Sequence, residues 1–311
     1  MKALRTFPLG SSGGPDGVTP QHIRDLLAGS TDDSLQQALV DFLNLMLAGA
    51  FDQEISSIIF GGRLIALSKK DGGVRPICVG YTLRRLAAKC ANSHVISRRS
   101  QVLQPQQLGV GVSGGAEAAV HAARRLVSNL PAGHVVVKLD FSNAFNCVRR
   151  DLILDSIATN IPEIYRLVYS AFSCEPVLTF GSHEILSSEG AQQGDPLGSL
   201  EFCEAIHPLL LKLHSSVKIG FMDDLTLSGD LHTVERDITT IMESSSETGL
   251  QLNVDKCEII TDDFTEISTL ATFNDFICVN KEDMTLLGAP VLRQSTGQGH
   301  SGQDRRPHQS S

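Results

Sequence analysis

His134-Val135-Val136-Val137-Lys138-Leu139-Asp140 (HVVVKLD, 134–140) reads as a β-strand whose apolar run is nearly continuous. Continuity of that kind fits a buried strand. Asp140 then stands where the buried strand ends. Downstream, VKIGFMDDLTLSG (217–229) reads as a short strand pair around a turn, with Val217, Ile219 and Phe221 on one face. Asp223 and Asp224 occupy that turn, and LQLNVDKCEII (250–260) returns as a further strand. Three carboxylates brought to one sheet edge would repel one another unless divalent cations neutralise them. Mg²⁺ is suited to such a place, because it takes a few carboxylates and completes its shell with substrate phosphates.

The segments around this nucleus alternate irregularly. Thr19 is placed to cap a helix opened by Pro20, and a second helix is expected from about Asp33 to Ala48 with Leu35, Leu39, Phe42, Leu43 and Met46 as its buried stripe. RLIALSKKDGGVRPICVG (63–80) reads as strand, turn and strand, with Asp71-Gly72-Gly73 as the hairpin signal. Helices follow over about 83–98 and 116–130, and NAFNCVRRDLILDSIATNI (143–161) reads as one more. PVLTFGSHEILSSEG (176–190) looks like a hairpin; Asp195 and Pro196 then cap and open a long apolar helix. Mixed order without strict βαβ alternation favours α+β over a doubly wound sheet.

Composition bounds the rest. The chain has 311 residues, 41% apolar and 20% charged, enough for a substantial core. Its longest apolar runs fall far below the roughly 18 residues of a bilayer helix. The N-terminus lacks the apolar core of a signal peptide, so an intracellular protein without a membrane partner is expected, nucleus or cytoplasm being open. Seven cysteines, without a CxxC pair, fit single buried thiols in a reducing compartment. The net charge of −9 hides a split: residues 1–150 carry 17 Lys and Arg against 10 Asp and Glu, whereas 151–311 carry 9 against 25. A basic first half suits phosphates, and an acidic second half suits cations. From Arg293 onward the polar sequence is expected to be disordered.

Gly109-x-Gly111-x-x-Gly114 matches a dinucleotide fingerprint and is followed by a helix. That fingerprint needs a buried strand directly before the first glycine, and Gln-Pro-Gln-Gln-Leu (104–108) stands there instead. The NAD reading is set aside on that ground.

KLDFSNAF (138–145), QQGDPLGSLEF (192–202), GFMDDLTLSG (220–229) and GLQLNVDKCE (249–258) occur in an order and spacing that resemble the palm motifs of reverse transcriptases, especially those of non-LTR, LINE-like or R2-like retrotransposons. SSGGPDGVTPQHI (11–23), LIALSKKDGGVRPI (64–77) and QLGVGVSGGAEAAVHAARR (107–125) resemble the opening segment, the fingers hairpin and the stretch before the first palm motif. The resemblance spans about residues 5–292. It implies a right-hand polymerase with fingers over 1–134 and, over 135–292, a palm built on an antiparallel sheet.

It also implies RNA-directed DNA synthesis from dNTPs, an RNA template and a DNA primer, with two Mg²⁺ ions or Mn²⁺ in their place. Asp140 and Asp223 would bind the metals, helped by Asp224 and the Phe141 carbonyl. Phe145 would lie under the sugar and reject ribonucleotides, while Gln193 and Gly194 line the nucleotide. Lys69 and Arg75 would clamp the triphosphate, Lys70 being the less favoured partner, and Lys256 in the last palm strand would protonate the pyrophosphate. Leu287-Gly288-Ala289-Pro290 resembles the primer-gripping hairpin. A helical thumb is expected after that hairpin, and none can be read in the chain. The expectation is therefore a weak polymerase, with an inactive retrotransposon-derived fragment acting as a nucleic-acid-binding or interaction module as the alternative.

Overall fold

The computed structural model describes residues 2–30, 32–69 and 72–292. Lys70, Asp71 and the tail from Arg293, on which three of the expectations above fall, lie outside the described residues. In chain order the first helices are α1 (Lys2–Arg5), α2 (Pro20–Gly29), α3 (Ser34–Leu47) and α4 (Gln53–Ile59). The hairpin β1 (Gly62–Ser68) and β2 (Val74–Gly80) follows, then α5 (Thr82–Leu103) and α6 (Gly115–Ser128). After β3 (His134–Leu139) come α7 (Ala144–Cys147), α8 (Arg150–Asn160), α9 (Tyr165–Phe172) and the strands β4 (Val177–Phe180) and β5 (His183–Leu186). The remainder is α10 (Gly198–Lys212), β6 (Val217–Phe221), β7 (Asp224–Asp230), α11 (Leu231–Glu243), α12 (Ser245–Thr248) and β8 (Glu258–Ile260). Three two-residue strands close it, β9 (Ile277–Cys278), β10 (Thr285–Leu286) and β11 (Ala289–Pro290). The fold is α+β.

β3 is the middle of a five-stranded sheet ordered β6-β7-β3-β8-β9, antiparallel except for the β8–β9 pair. Its alternation explains the continuous apolar run. Val135, Val137 and Leu139 enter the main core with Ile153 and Ile157 of α8, Leu200 and Leu210 of α10, and Ile238 of α11. Val136 faces the other way, onto Ala119, Ala123 and Val127 of α6 and onto Met284 and Leu286. Each fully buried valine contributes about 1.5–3 kcal/mol by leaving water, and a polar residue on either face would forfeit that.

The second sheet is ordered β2-β1-β4-β5. Its hairpin pairs Gly62 with Gly80 through to Ser68 with Val74, while β4 joins β1 in parallel. Sequence periodicity shows both hairpins but not that 177–186 crosses back to extend the earlier one.

Several expectations need correction. Residues 144–160 form two helices, because the Arg149 N–H is taken by the Thr248 carbonyl at 3.0 Å and the chain is extended at Val148. α10 starts at Gly198 with no side-chain cap, so Asp195 is not its N-cap. Lys256 lies in a 3₁₀ turn (Val254–Lys256) ahead of a last strand reduced to three residues, since Cys257 donates back to Asn253 and Val254. Along α3 only Met46 is buried; Leu39, Phe42 and Leu43 are half-buried and Leu35 is exposed. Of the cysteines, Cys78, Cys174, Cys203 and Cys257 are buried and Cys278 is exposed. Thr19 does cap α2, accepting from the His22 N–H at 3.2 Å.

Within α10, Glu201 is buried, and its carboxyl is pushed from 4.5 up to about 8, first by burial and then by Asp195, against the pull of Arg84 and Arg150. The unfolded chain ionises Glu201 at lower pH than the folded chain does. Its contribution to stability is therefore complete below the unfolded value and erodes as pH climbs toward the folded one. Denaturation of the wild type and Glu201→Gln from pH 4 to 9 is expected to show the wild type losing stability relative to the variant across that window.

Candidate active site

The site is built at the end of β3 and at the turn joining β6 to β7. Phe221 pairs with Asp224, leaving Met222-Asp223 as a two-residue turn. Tight hairpin turns of this length require positive φ, and Met222 supplies it at 58°. For a residue with a side chain, such a conformation costs about 1–3 kcal/mol. In the neighbouring ladder Leu139 pairs with Leu225. Asp140 directly follows Leu139 on β3 and Asp224 directly precedes Leu225 on β7, so the two carboxylates border the same end of the ladder.

The carboxylates feel one another. The Asp223 carboxyl, half-buried, is pushed up by burial and by Asp140, with Arg75 and Lys69 pulling it down. Asp224 is also raised, by burial first and then by Asp223 and Asp140, although it stands at the exposed rim. An acidic edge that resists its own ionisation is one that a cation would relieve.

Asp140, Asp223 and Asp224 open into a cavity of about 590 Å³ that is also lined by Lys69 and Arg75, from the β1–β2 hairpin, and by Lys256, which shares an adjoining cavity with Asp140 and Asp224. The residues expected to hold metal and those expected to meet phosphate thus share one space. Among the described residues, no three His, Cys, Asp or Glu side chains close a ready-made cation cage. The donor set is instead an open row of hard oxygens, the type that suits Mg²⁺ sharing its shell with a phosphate substrate. Around Phe141 the backbone bonds run from Ser142 N–H to Gln251 O and from Asn253 N–H to Asp140 O, both 2.9 Å. In that pattern the Phe141 carbonyl points away from the paired segment, and Phe141 lines the cavity.

A second cavity, about 490 Å³, shares Arg75, Gln193, Asp223 and Asp224 with the first and adds Phe145 and Gly194. The Phe145 ring is stacked on the buried Phe202 ring, with centroids 4.6 Å apart and planes 18° from parallel. Its position in the wall is therefore set from behind. Leu287 also lines this space, from a β10–β11 hairpin whose turn residues Leu287 and Gly288 both have positive φ.

The 192–195 segment has a further role that the sequence did not disclose. Gly194 has φ 110°, and a Cβ there would lie 2.4 Å from the Cys78 carbonyl oxygen. Its close approach is to the chain's own β2 strand, which also donates from Cys78 N–H to the Gln193 carbonyl at 2.7 Å. Gln192, buried, accepts from Arg84 at 2.7 Å and donates to the Phe60 carbonyl at 3.2 Å. The same Arg84 forms a buried ion pair with Asp195 and lies over the Phe60 ring. These contacts bind the 192–195 segment, just ahead of α10, to β2 and α5. No sequence signal separates Arg84 from the adjacent Arg85.

The glycine-rich 109–114 stretch has no strand before it; Gln107 instead bridges Gly220 in β6. That disposes of the dinucleotide reading on structural grounds too.

Breaking a buried pair from one side strands the partner's charge, at a cost of about 3–5 kcal/mol. Urea denaturation should find that loss for Arg84→Met, and a smaller one for Arg84→Met combined with Asp195→Asn. Equal losses would mean that the pair is not the source.

Residues 67–291, well over half of the chain, match the reverse transcriptase (RNA-dependent DNA polymerase) family. Among curated proteins, the chain is 26% identical over 280 residues to the retrovirus-related Pol polyprotein from type-2 retrotransposable element R2DM of Drosophila melanogaster, a match covering 80% of this chain. It spans about a quarter, 25%, of that relative's length. Among solved structures, the fold is similar to telomerase from Candida albicans in complex with a TWJ fragment of telomeric RNA, with TM-score 0.50, 11% identity and coverage of 69% of this chain and 44% of that one. Apo telomerase from Candida tropicalis matches with TM-score 0.49 and 13% identity, over 66% of this chain and 44% of that one.

Proposed function

Because the chain belongs to the reverse transcriptase family, we propose that it extends a DNA primer on an RNA template by adding dNTPs to the primer 3′-hydroxyl. The observation that carries this reading is the meeting of Asp140, Asp223 and Asp224 with Lys69, Arg75 and Lys256 around one cavity. Acidic groups and cations lining one space match a triphosphate that arrives with divalent metal. In this reading the β1–β2 and β4–β5 hairpins form the fingers, and the β3-centred sheet with α8, α10 and α11 forms the palm.

Asp140 and Asp223 would hold two Mg²⁺ ions, or Mn²⁺ in their place, with Asp224 and the Phe141 carbonyl in support. When bound, such ions acidify the attacking hydroxyl and neutralise charge on the leaving pyrophosphate. The chain's own groups do the remainder. Arg75 offers a planar fork to two phosphate oxygens and Lys69 a point charge beside it. Lys256 holds a proton at Nζ on the Asp140 side of the cavity, where a departing pyrophosphate needs one. Gln193 and Gly194 border the base-pair side, and the Phe145 ring, backed by Phe202, fills the space a 2′-hydroxyl would require.

With Mg²⁺, an RNA template and a DNA primer, the chain is expected to incorporate dNTPs, and Asp223→Ala to lower the rate by at least about a thousandfold. Incorporation that survives this substitution overturns the metal assignment. Phe145→Ala is expected to raise ribonucleotide use relative to dNTPs by about 10–100-fold, the scale of a lost steric contact. Single-nucleotide extension assays with paired rNTP and dNTP titrations measure it, and unchanged sugar preference removes Phe145 from the role.

A further inference from the structure

We propose that Gln107 is a positioning residue that holds the Met222-Asp223 turn in its active shape. Gln107 lies outside both cavities, in the stretch after α5, and is wholly buried. Its side-chain amide makes two bonds to one residue. Oε1 accepts from the Met222 N–H at 3.0 Å, and Nε2 donates to the Met222 carbonyl at 2.9 Å. A primary amide carries a donor and an acceptor side by side in one plane without needing to be protonated, and asparagine would be one methylene too short.

The residue so gripped is the strained one. Met222 has φ 58°, a conformation that persists only where its surroundings over-determine it. The grip itself is anchored by backbone. Gly220 N–H donates to the Gln106 carbonyl at 2.7 Å, and Leu108 N–H donates to the Gly220 carbonyl at 2.8 Å. A Cβ on Gly220 would lie 2.7 Å from Gln107 Nε2, and one on Gly109 would lie 2.8 Å from the Met222 nitrogen. Two glycines thus make room for the amide to reach the turn. Buried from water, both bonds are strengthened and neither has a ready substitute.

Releasing the amide frees the peptide units on either side of Met222 to rotate, which swings the Asp223 carboxylate relative to Asp140 while leaving the β3–β7 ladder paired. The inference rests on the polymerase reading in placing Asp223 at the reacting centre. The contact between Gln107 and the turn does not depend on it.

The test uses the full chain as wild type, Gln107→Leu and Gly109→Ala, the second variant pressing on Met222 from a different residue. Amide hydrogen exchange is followed by peptide, and single-nucleotide incorporation gives kcat and the dNTP KM. Exchange over 220–224 is expected to quicken about tenfold or more in both variants, while peptides of β3 and α10 are unchanged. The kcat should fall by about tenfold or more with KM within about twofold, as displacement of a reacting group without loss of substrate contacts requires. Wild-type exchange at the turn in Gln107→Leu, a kcat within twofold of wild type, or quickened exchange spread across the whole sheet would each overturn the proposal. A wild type that incorporates nothing overturns the polymerase reading alone, and exchange at 220–224 then decides the clamp.

Discussion

Like charges gathered at one end of a sheet repel, and the paired backbone of β3 and β7 is what brings Asp140 and Asp224 to the same end. The ladder runs from His134–Asp230 to Leu139–Leu225 without interruption, and its side chains are buried on both faces. Local repulsion therefore cannot be relieved by moving the backbone. Burial first, with the neighbouring carboxylates adding to it, leaves Asp223 and Asp224 ionising less readily than usual. The architecture converts the free energy of apolar packing, spread over the sheet and its helices, into a concentration of negative charge at one edge. That edge can be satisfied from outside, by cations brought with a phosphate substrate.

The opposing charges come from another sheet, so the site needs a fixed relation between the two. Segment 192–195 provides it with contacts of several kinds: a glycine packed against the Cys78 carbonyl, a backbone bond from Cys78 N–H, the Gln192 amide, and the Arg84–Asp195 pair. Buried ion pairs add little net stability over apolar packing but penalise any arrangement that separates them. Here that property holds the 192–195 segment, and α10 behind it, against β2 and α5. Arg99 and Glu204, a bidentate buried pair at 2.7 and 2.8 Å, tie α5 to α10 in the same manner.

Strain at the turn between β6 and β7 completes the arrangement. A residue with a side chain sits where glycine would be at ease, and the surrounding chain compensates with a buried amide and with glycines on either side of it. The stretch that supplies the amide follows α5 directly, so its placement depends on the same helix that carries Arg84.

The legibility of this protein divides along a physical line. Periodicity and turn chemistry are local, and so HVVVKLD is a buried strand, Thr19 a helix cap and 217–229 a hairpin with an acidic tip whatever surrounds them. The row of motifs from Asp140 to Lys256 likewise identifies the family, because residue types in order survive without coordinates. What remains depends on partners distant in the chain. Nothing near Arg84 says that it will meet Asp195, nothing near Gln107 that it will reach Met222, and the β4–β5 hairpin carries no mark of the sheet it joins. The break after Cys147 and the turn at Lys256 arise the same way, from backbone groups claimed by Thr248 and by Asn253. Sequence by itself determined most of the elements and the family to which the chain belongs, since those follow from nearest neighbours, apolar pattern and residue types in order. Only tertiary structure decided how the acidic edge is held against its own repulsion, because hydrogen bonds and ion pairs between remote segments exist only once the chain has closed.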